Sequence, residues 1–191
     1  MDRAALLAAA RARTAARDPN VRIQGLDKVI AALDLEKPAV EVLEKVVRSA
    51  GEMVAGEARR RAPVDVGLLR SSINVITQIH EQTVTASIGT NVARQGQPYG
   101  AFMEYGTGLV HDHPSWPRKR HVVPPAALMG WAERKGRGGT YHDAFVIANA
   151  ITRRGGLKPR RYLRGSLELY DQQIRERLAG VVGEIRRRRG L

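Results

Sequence analysis

Ala58-Arg-Arg-Arg-Ala-Pro-Val-Asp-Val-Gly-Leu-Leu-Arg-Ser-Ser-Ile73 joins the longest helical pattern of the chain to its best strand pattern. Pro63 cannot continue a helix and biases Ala62 away from helical angles, so the preceding helix ends there. Asp65 can accept forward bonds from the backbone as an Asx turn, and Gly67 reaches positive φ without steric cost. Beyond Ser72 the composition turns β-branched. The stretch reads as a helix-to-strand switch, with no catalytic group of its own.

Upstream of the switch, about Pro38 to Arg61 predicts a long amphipathic helix, with Pro38 suited to its first turn. Val42, Val46, Ala50, Met53 and Val54 recur at helical spacing on one face, while Glu41, Glu44, Lys45, Arg48 and Glu52 occupy the other. Arg59, Arg60 and Arg61 fill the last turn, where they complement the negative helix end; they are also candidates for contact with DNA or an acidic partner. Downstream, residues 72–79 and 83–89 predict two strands around a polar turn. Ile73, Val75, Thr77 and Ile79 alternate on one face of the first, and Val84, Ala86 and Ile88 on one face of the second. A hairpin of this kind needs a helix across it. The expectation is an α+β fold: the 38–61 helix packed on a small antiparallel sheet, with additional C-terminal helices.

Residues 1–36 read as an N-terminal helical arm, built from a helix over 2–17, a break at Asp18-Pro-Asn20, a short extended piece from Val21 to Gln24, and a short helix from Leu26 to Leu33. The opening Met1-Asp-Arg-Ala-Ala-Leu-Leu-Ala-Ala-Ala10 superficially resembles a targeting peptide, but Arg11, Arg13 and Arg17 follow at once and a plain helix is the better reading. Residues 37–191 form the α+β domain. Within it Tyr99 to Tyr105 predicts a short helical turn ended by Gly106, and Thr107 to Pro125, rich in Pro, His and Arg, an exposed loop. Ala126 to Lys135 and Tyr141 to Arg153 have helical spacing, separated by Gly136 to Gly139, and Gly155-Gly156 caps the second. Arg164 to Arg188 predicts a closing helix with Leu167, Tyr170, Ile174, Leu178, Val181 and Ile185 on one side.

Composition narrows the chemistry. Hydrophobic residues make up 43% of the 191, enough for a core, but only 5% are aromatic, so that core should be mainly Ala, Val, Leu and Ile. There is no cysteine, which removes disulfide staples and thiolate metal sites. The net charge of +13, mostly arginine, suits nucleic acid, an acidic protein surface or a solvated shell around the fold. No apolar run approaches the roughly 20 residues that span a bilayer.

The side chains that could do chemistry are few. His111-Asp-His113 is the only cluster with the look of metal ligands, yet no further His or acid sits at a telling distance, and solvated loop polarity reads better. His80, His121 and His142 are isolated. Gly136-Arg-Gly-Gly139 lacks the Gly-Lys-Ser/Thr ending of a phosphate cradle and reads as a flexible connection. Ser71-Ser72 has no glycine elbow and no placed His–acid partner. Glu104, beside Tyr99, Phe102 and Tyr105, is expected in a structural ion pair with Arg70 or Arg161. The run Arg186 to Arg189 is either a dipole-matched helix end or a phosphate-contacting tail.

Three segments together carry a likeness: the switch at 62–73, Tyr99-Gly-Ala-Phe-Met-Glu-Tyr-Gly-Thr-Gly108, and Pro159-Arg-Arg-Tyr-Leu163. Over roughly residues 40–170 they resemble the tail-completion, neck or head–tail joining proteins of long-tailed bacteriophages. These typically read A-P-V-D-T-G-x-L-R-x-S-I, then Y-x-x-x-x-E-x-G-T, then P-R-P-F-L. The positions that carry the match are Pro63, Asp65, Gly67, Leu69, Arg70, Ser72, Ile73, Tyr99, Glu104, Gly106, Thr107, Pro159, Arg160 and Leu163. Val66 stands where Thr is usual, and Arg161-Tyr162 replaces Pro-Phe. The resemblance implies a virion structural protein, assembled in the host cytoplasm, with neither enzymatic activity nor cofactor. It implies a homo-oligomeric ring of about six or twelve copies around the DNA path, joining the connector or stopper to the tail terminator or tail tube. The N-terminal arm and the loop 107–125 are the segments expected to supply the ring contacts. Two other readings come from the residues: a basic, sequence-independent DNA-binding or packaging-associated protein, and a metal-dependent hydrolase using His111, Asp112 and His113.

Overall fold

The computed structural model describes residues 21–23, 37–80, 83–92 and 98–188. The helices expected over 2–17 and 26–33, and Arg189, lie outside the described residues. The elements are β1 (Val21–Ile23), α1 (Lys37–Arg61), α2 (Leu68–Ser72), β2 (Asn74–His80), β3 (Thr83–Gly89), α3 (Tyr99–Tyr105), a 3-10 turn (Pro125–Leu128), α4 (Met129–Arg134), α5 (Tyr141–Arg153) and α6 (Arg164–Arg188). The class is α+β, as the sequence predicts. The chain divides into two compact units: a sheet unit of residues 20–61, 72–90 and 162–191, and a loop unit built on residues 62–71 and 91–161.

In the sheet unit the strand order is β1-β3-β2, antiparallel throughout, with Asn74 opposite Gly89 and Thr77 opposite Ala86. β1 adds a third strand on the far side of β3, pairing Val21 with Ile88. α1 lies on the sheet, and α6 packs on α1. The core gathers Leu43 and Val47 from α1 with Val84 and Ala86 from β3, closed over by Leu178 and Val182 of α6. Ile174, Leu167, Tyr170 and Leu178 share the inward side of α6, as their spacing predicts.

The inward face of α1 differs from the expected one. Val42 is 41% exposed and Val46 only half-buried; the buried row runs Leu43, Val47, Ala50, Val54, Ala58. Small side chains decide the matter, because the sheet comes close to the helix at Gly51. A Cβ there would stand 2.8 Å from Cγ1 of Val75 and 3.2 Å from Cβ of Ala86. The face that admits the sheet is therefore the Ala/Gly one, not the one richest in valine.

The switch also continues further than Gly67. The Ser71 N–H donates to the Gly67 carbonyl (3.0 Å), and the Ser71 hydroxyl donates to the Leu68 carbonyl (3.1 Å), so Leu-Leu-Arg-Ser-Ser forms one helical turn and the strand starts at Asn74. Ile73 is buried and Val75 and Thr77 face inward with it, but Ile79, near the strand end, is 49% exposed.

The loop unit holds α3, α4 and α5. α5 runs over the predicted residues and opens on a reciprocal cap: the Asp143 N–H donates to the Thr140 hydroxyl oxygen while the Asp143 carboxylate accepts from the Thr140 backbone N–H. The hydroxyl and N–H of Thr140 hold the Asp143 carboxyl below the usual range. The predicted helix over 126–135 is a 3-10 turn leading into the short α4.

Candidate interface site

The site is built on the turn that ends the switch. Gly67 sits at φ 84°, and the chain on either side puts Val64, Val66 and Leu68 on the surface, 41%, 56% and 62% exposed. Three exposed branched side chains within five residues are unusual in a turn, where polar residues normally serve. Leu69 points the other way and is buried. Beside the turn lies a shallow groove of about 130 Å³, lined by Pro63, Val66, Leu68 and Leu69 and completed by Val92 and Tyr99.

The turn is braced from behind. Asp65, its carboxylate only 8% exposed, receives both prongs of Arg134, Nε to Oδ1 at 2.9 Å and Nη2 to Oδ2 at 2.6 Å. Lys135 Nζ donates to the Val64 carbonyl at 2.9 Å. The hydrogen bond from Arg134 to Asp65 raises the guanidinium pKa above its ordinary value. A two-pronged pair fixes direction as well as distance, so α4 holds the apolar tip in one orientation. Asp65 thus has a long-range partner that sequence spacing could not announce.

The second resemblance segment meets residues 157–161 in the same unit. Gly106, at φ 80°, ends α3, and a Cβ on it would stand 2.5 Å from the Leu157 carbonyl oxygen and 2.9 Å from the Pro159 nitrogen. The Thr107 N–H donates to the Leu157 carbonyl, and the Leu157 N–H to the Thr107 hydroxyl oxygen. Next, the N–H groups of Arg160 and Arg161 donate to the carbonyls of Met103 and Glu104. Gly106, Thr107 and Pro159 thus form a backbone crossing that only glycine permits at position 106.

Glu104 is fully buried on α3. Arg161 donates from Nε to Asp112 at 2.9 Å, and Arg70 is exposed. Arg161 itself is the one non-glycine at positive φ among the described residues, at 49°. A proline, which the resemblance would place there, cannot adopt that angle. Tyr162 and Leu163, which follow it, are completely buried in the sheet unit, and Arg160 is exposed.

Loop 107–125 is less exposed than its composition suggests. Thr107, His111 and His113 are buried, because Trp116 folds back on them: it stacks on His113 at 4.4 Å and meets Phe102, Tyr105 and His111 edge-on. The ring nitrogen Nδ1 of His111 accepts from the His113 N–H, and Nδ1 of His113 from the Ser115 N–H. These histidines are packing elements, and no group of three or more potential ligands that could hold a metal occurs among the described residues. The indole that organises them was the missed signal: a tryptophan in a Pro-rich loop needs somewhere to bury its ring.

Of the arginines singled out as partner contacts, Arg59, Arg60 and Arg61 are engaged internally. In the sheet unit Arg59 donates twice to the Ile73 carbonyl, while Arg60 and Arg61 share the Glu57 carboxylate, which their hydrogen bonds hold below the usual range. Ser72 bonds Thr90 through their hydroxyls at 2.5 Å. Arg187 is exposed on the last turn of α6, with Nε 3.4 Å from the Gly183 carbonyl oxygen; the side chains of Arg186 and Arg188 lie outside the described residues.

With the turn, groove and brace in view, the comparison with known families can be read. Residues 27–106 match the HK97-gp10-like family. Its description is "Bacteriophage HK97-gp10, putative tail-component". The match takes in the switch and the α3 segment, somewhat under half of the chain, and stops before the 159–163 segment. It makes the protein similar to structural tail components of phages, and so to virion proteins that work against other phage structural proteins. No curated protein and no solved structure matches the chain. No helix among the described residues is long and apolar enough to cross a membrane.

Proposed function

We propose that the protein is a structural component of the phage head–tail junction, whose copies close into a ring around the DNA path and join the connector to the tail. The observation that carries this reading is the braced apolar tip. Val64, Val66 and Leu68 stay exposed in the single chain, yet two charged side chains of α4 region hold their backbone still. Holding a hydrophobic tip rigid lowers the entropy lost when a partner covers it. A ring requires two different complementary patches on each subunit, and this tip serves as one of them. The tip lies inside the HK97-gp10-like match, which supports this reading.

The test is assembly. Val66→Asp with Leu68→Asp should leave the far-UV circular dichroism unchanged, because both side chains are exposed, and should abolish rings seen by negative stain and by mass photometry. Rings that persist in this variant remove the tip from the interface. A chain that stays monomeric at every concentration, alone and with connector or tail, removes the ring itself.

A further inference from the structure

Charge is divided unevenly along the chain. Residues 62–71 and 91–161 contain thirteen Lys and Arg against five Asp and Glu. Four of those five acids are occupied or hidden. Asp65 holds Arg134, Asp112 holds Arg161, Asp143 caps α5, and Glu104 is fully buried. Glu133 is exposed, with no hydrogen-bonded partner among the described residues. By contrast Arg118, Lys119, Arg120, Arg153, Arg154 and Lys158 are all exposed, and none pairs with a described residue.

The backbone brings the segments that carry these cations together. A Cβ on Gly108 would stand 2.0 Å from the Gly155 carbonyl oxygen and 2.9 Å from Cβ of His121, so the segments carrying 118–120 and 153–154 flank one crossing. Hydrogen bonds from the Leu109 N–H to Gly155 (2.6 Å) and from the Thr107 N–H to Leu157 (2.9 Å) fasten it, with Lys158 next in line. Like charges gathered without acids repel one another, and the repulsion is relieved only by a dense anion.

We propose that this crossing is a phosphate-binding surface for double-stranded DNA, read without regard to sequence. Duplex DNA supplies a negative charge about every 1.7 Å along its axis, which matches a cluster of cations lacking interspersed acids. A positive patch also complements an acidic protein face, which is the competing outcome of the test. No groove-reading motif accompanies the cluster, so the contacts position the duplex and do not specify bases. The surface stands apart from the ring: a monomer that binds DNA here leaves the inference intact.

The experiment measures binding of the full chain to two unrelated 30-bp duplexes by fluorescence anisotropy, with salt raised from about 50 to 200 mM. Six phosphate contacts predict equal affinity for both sequences and roughly a thousandfold loss over that range. Arg118→Gln, Lys119→Gln and Arg120→Gln together remove three contacts, so the loss should shrink to about 40-fold. Arg153→Gln with Arg154→Gln should act in the same direction. Arg48→Gln with Arg175→Gln, in the sheet unit, should leave the salt dependence unchanged. Absence of binding at 50 mM salt overturns the proposal, as does an unaltered salt dependence in the triple variant. Binding to polyglutamate as tight as to DNA overturns it too, and assigns the surface to an acidic protein.

Discussion

Gly51 and Gly56 occupy the same helix one and a half turns apart, and replacing each with alanine should affect stability differently. Inside a helix, alanine is favoured over glycine by about 1 kcal/mol, because glycine loses more backbone freedom on folding. At Gly56 nothing lies within 4 Å of the added methyl, so Gly56→Ala should collect that gain. At Gly51 the methyl would stand 2.8 Å from Cγ1 of Val75 and 3.2 Å from Cβ of Ala86. Val75 is β-branched and stiff about χ1, and Ala86 has no torsion to turn, so the helix must lift from the sheet. Overpacking of this kind costs about 1–3 kcal/mol, which matches or outweighs the propensity gain. Both variants carry the propensity gain, so they should differ by the overpacking cost alone, about 1–3 kcal/mol. For a chain of this size that is roughly 2–12 °C in Tm. Thermal and urea unfolding followed by circular dichroism at 222 nm would measure it. If Gly51→Ala stabilises as much as Gly56→Ala, the close approach of α1 to the sheet is wrong.

Further consequences concern the loop unit. Thr140→Ala should cost about 1 kcal/mol at neutral pH by removing the α5 cap. Because the native Asp143 pKa is depressed, the stabilisation from this cap is present above the ordinary carboxylate pKa and fades as pH falls through the native one. Wild type and Thr140→Ala should thus converge on acidification, and a gap independent of pH in urea midpoints would contradict the reciprocal bond. Arg161→Gly should relieve a left-handed conformation worth roughly 1–2 kcal/mol, set against a mostly exposed pair with Asp112, whereas Arg161→Pro should be strongly destabilising. Equal melting of the two variants would dismiss the φ argument. Glu104→Gln, at a completely buried acid, should lower Tm or impair assembly, and unchanged melting together with unchanged particles would show its charge to be dispensable.

Local chemistry was legible wherever a rule acts within a few residues. Pro63 ending α1, the Thr140 cap, Gly155 closing α5 and the alternation of Val84, Ala86 and Ile88 all depend on backbone geometry and nearest neighbours, and the structure has them where sequence reading puts them. The α+β class followed from the same marks. Three features could be decided only by residues far apart in the chain. The inward face of α1 turned on which side chains let a sheet approach, and Gly51 with its alanines outweighed Val42 and Val46. His111 and His113 look solvated in a polar loop until Trp116 covers them. Arg134 is an unremarkable helix-end cation until Asp65, 69 positions earlier, meets it. Periodicity and turn chemistry are short-range and written in consecutive residues. Distance of approach, burial of a loop and the choice of ion-pair partner belong to the packed chain, because each is settled by which distant groups compete for the same space or charge.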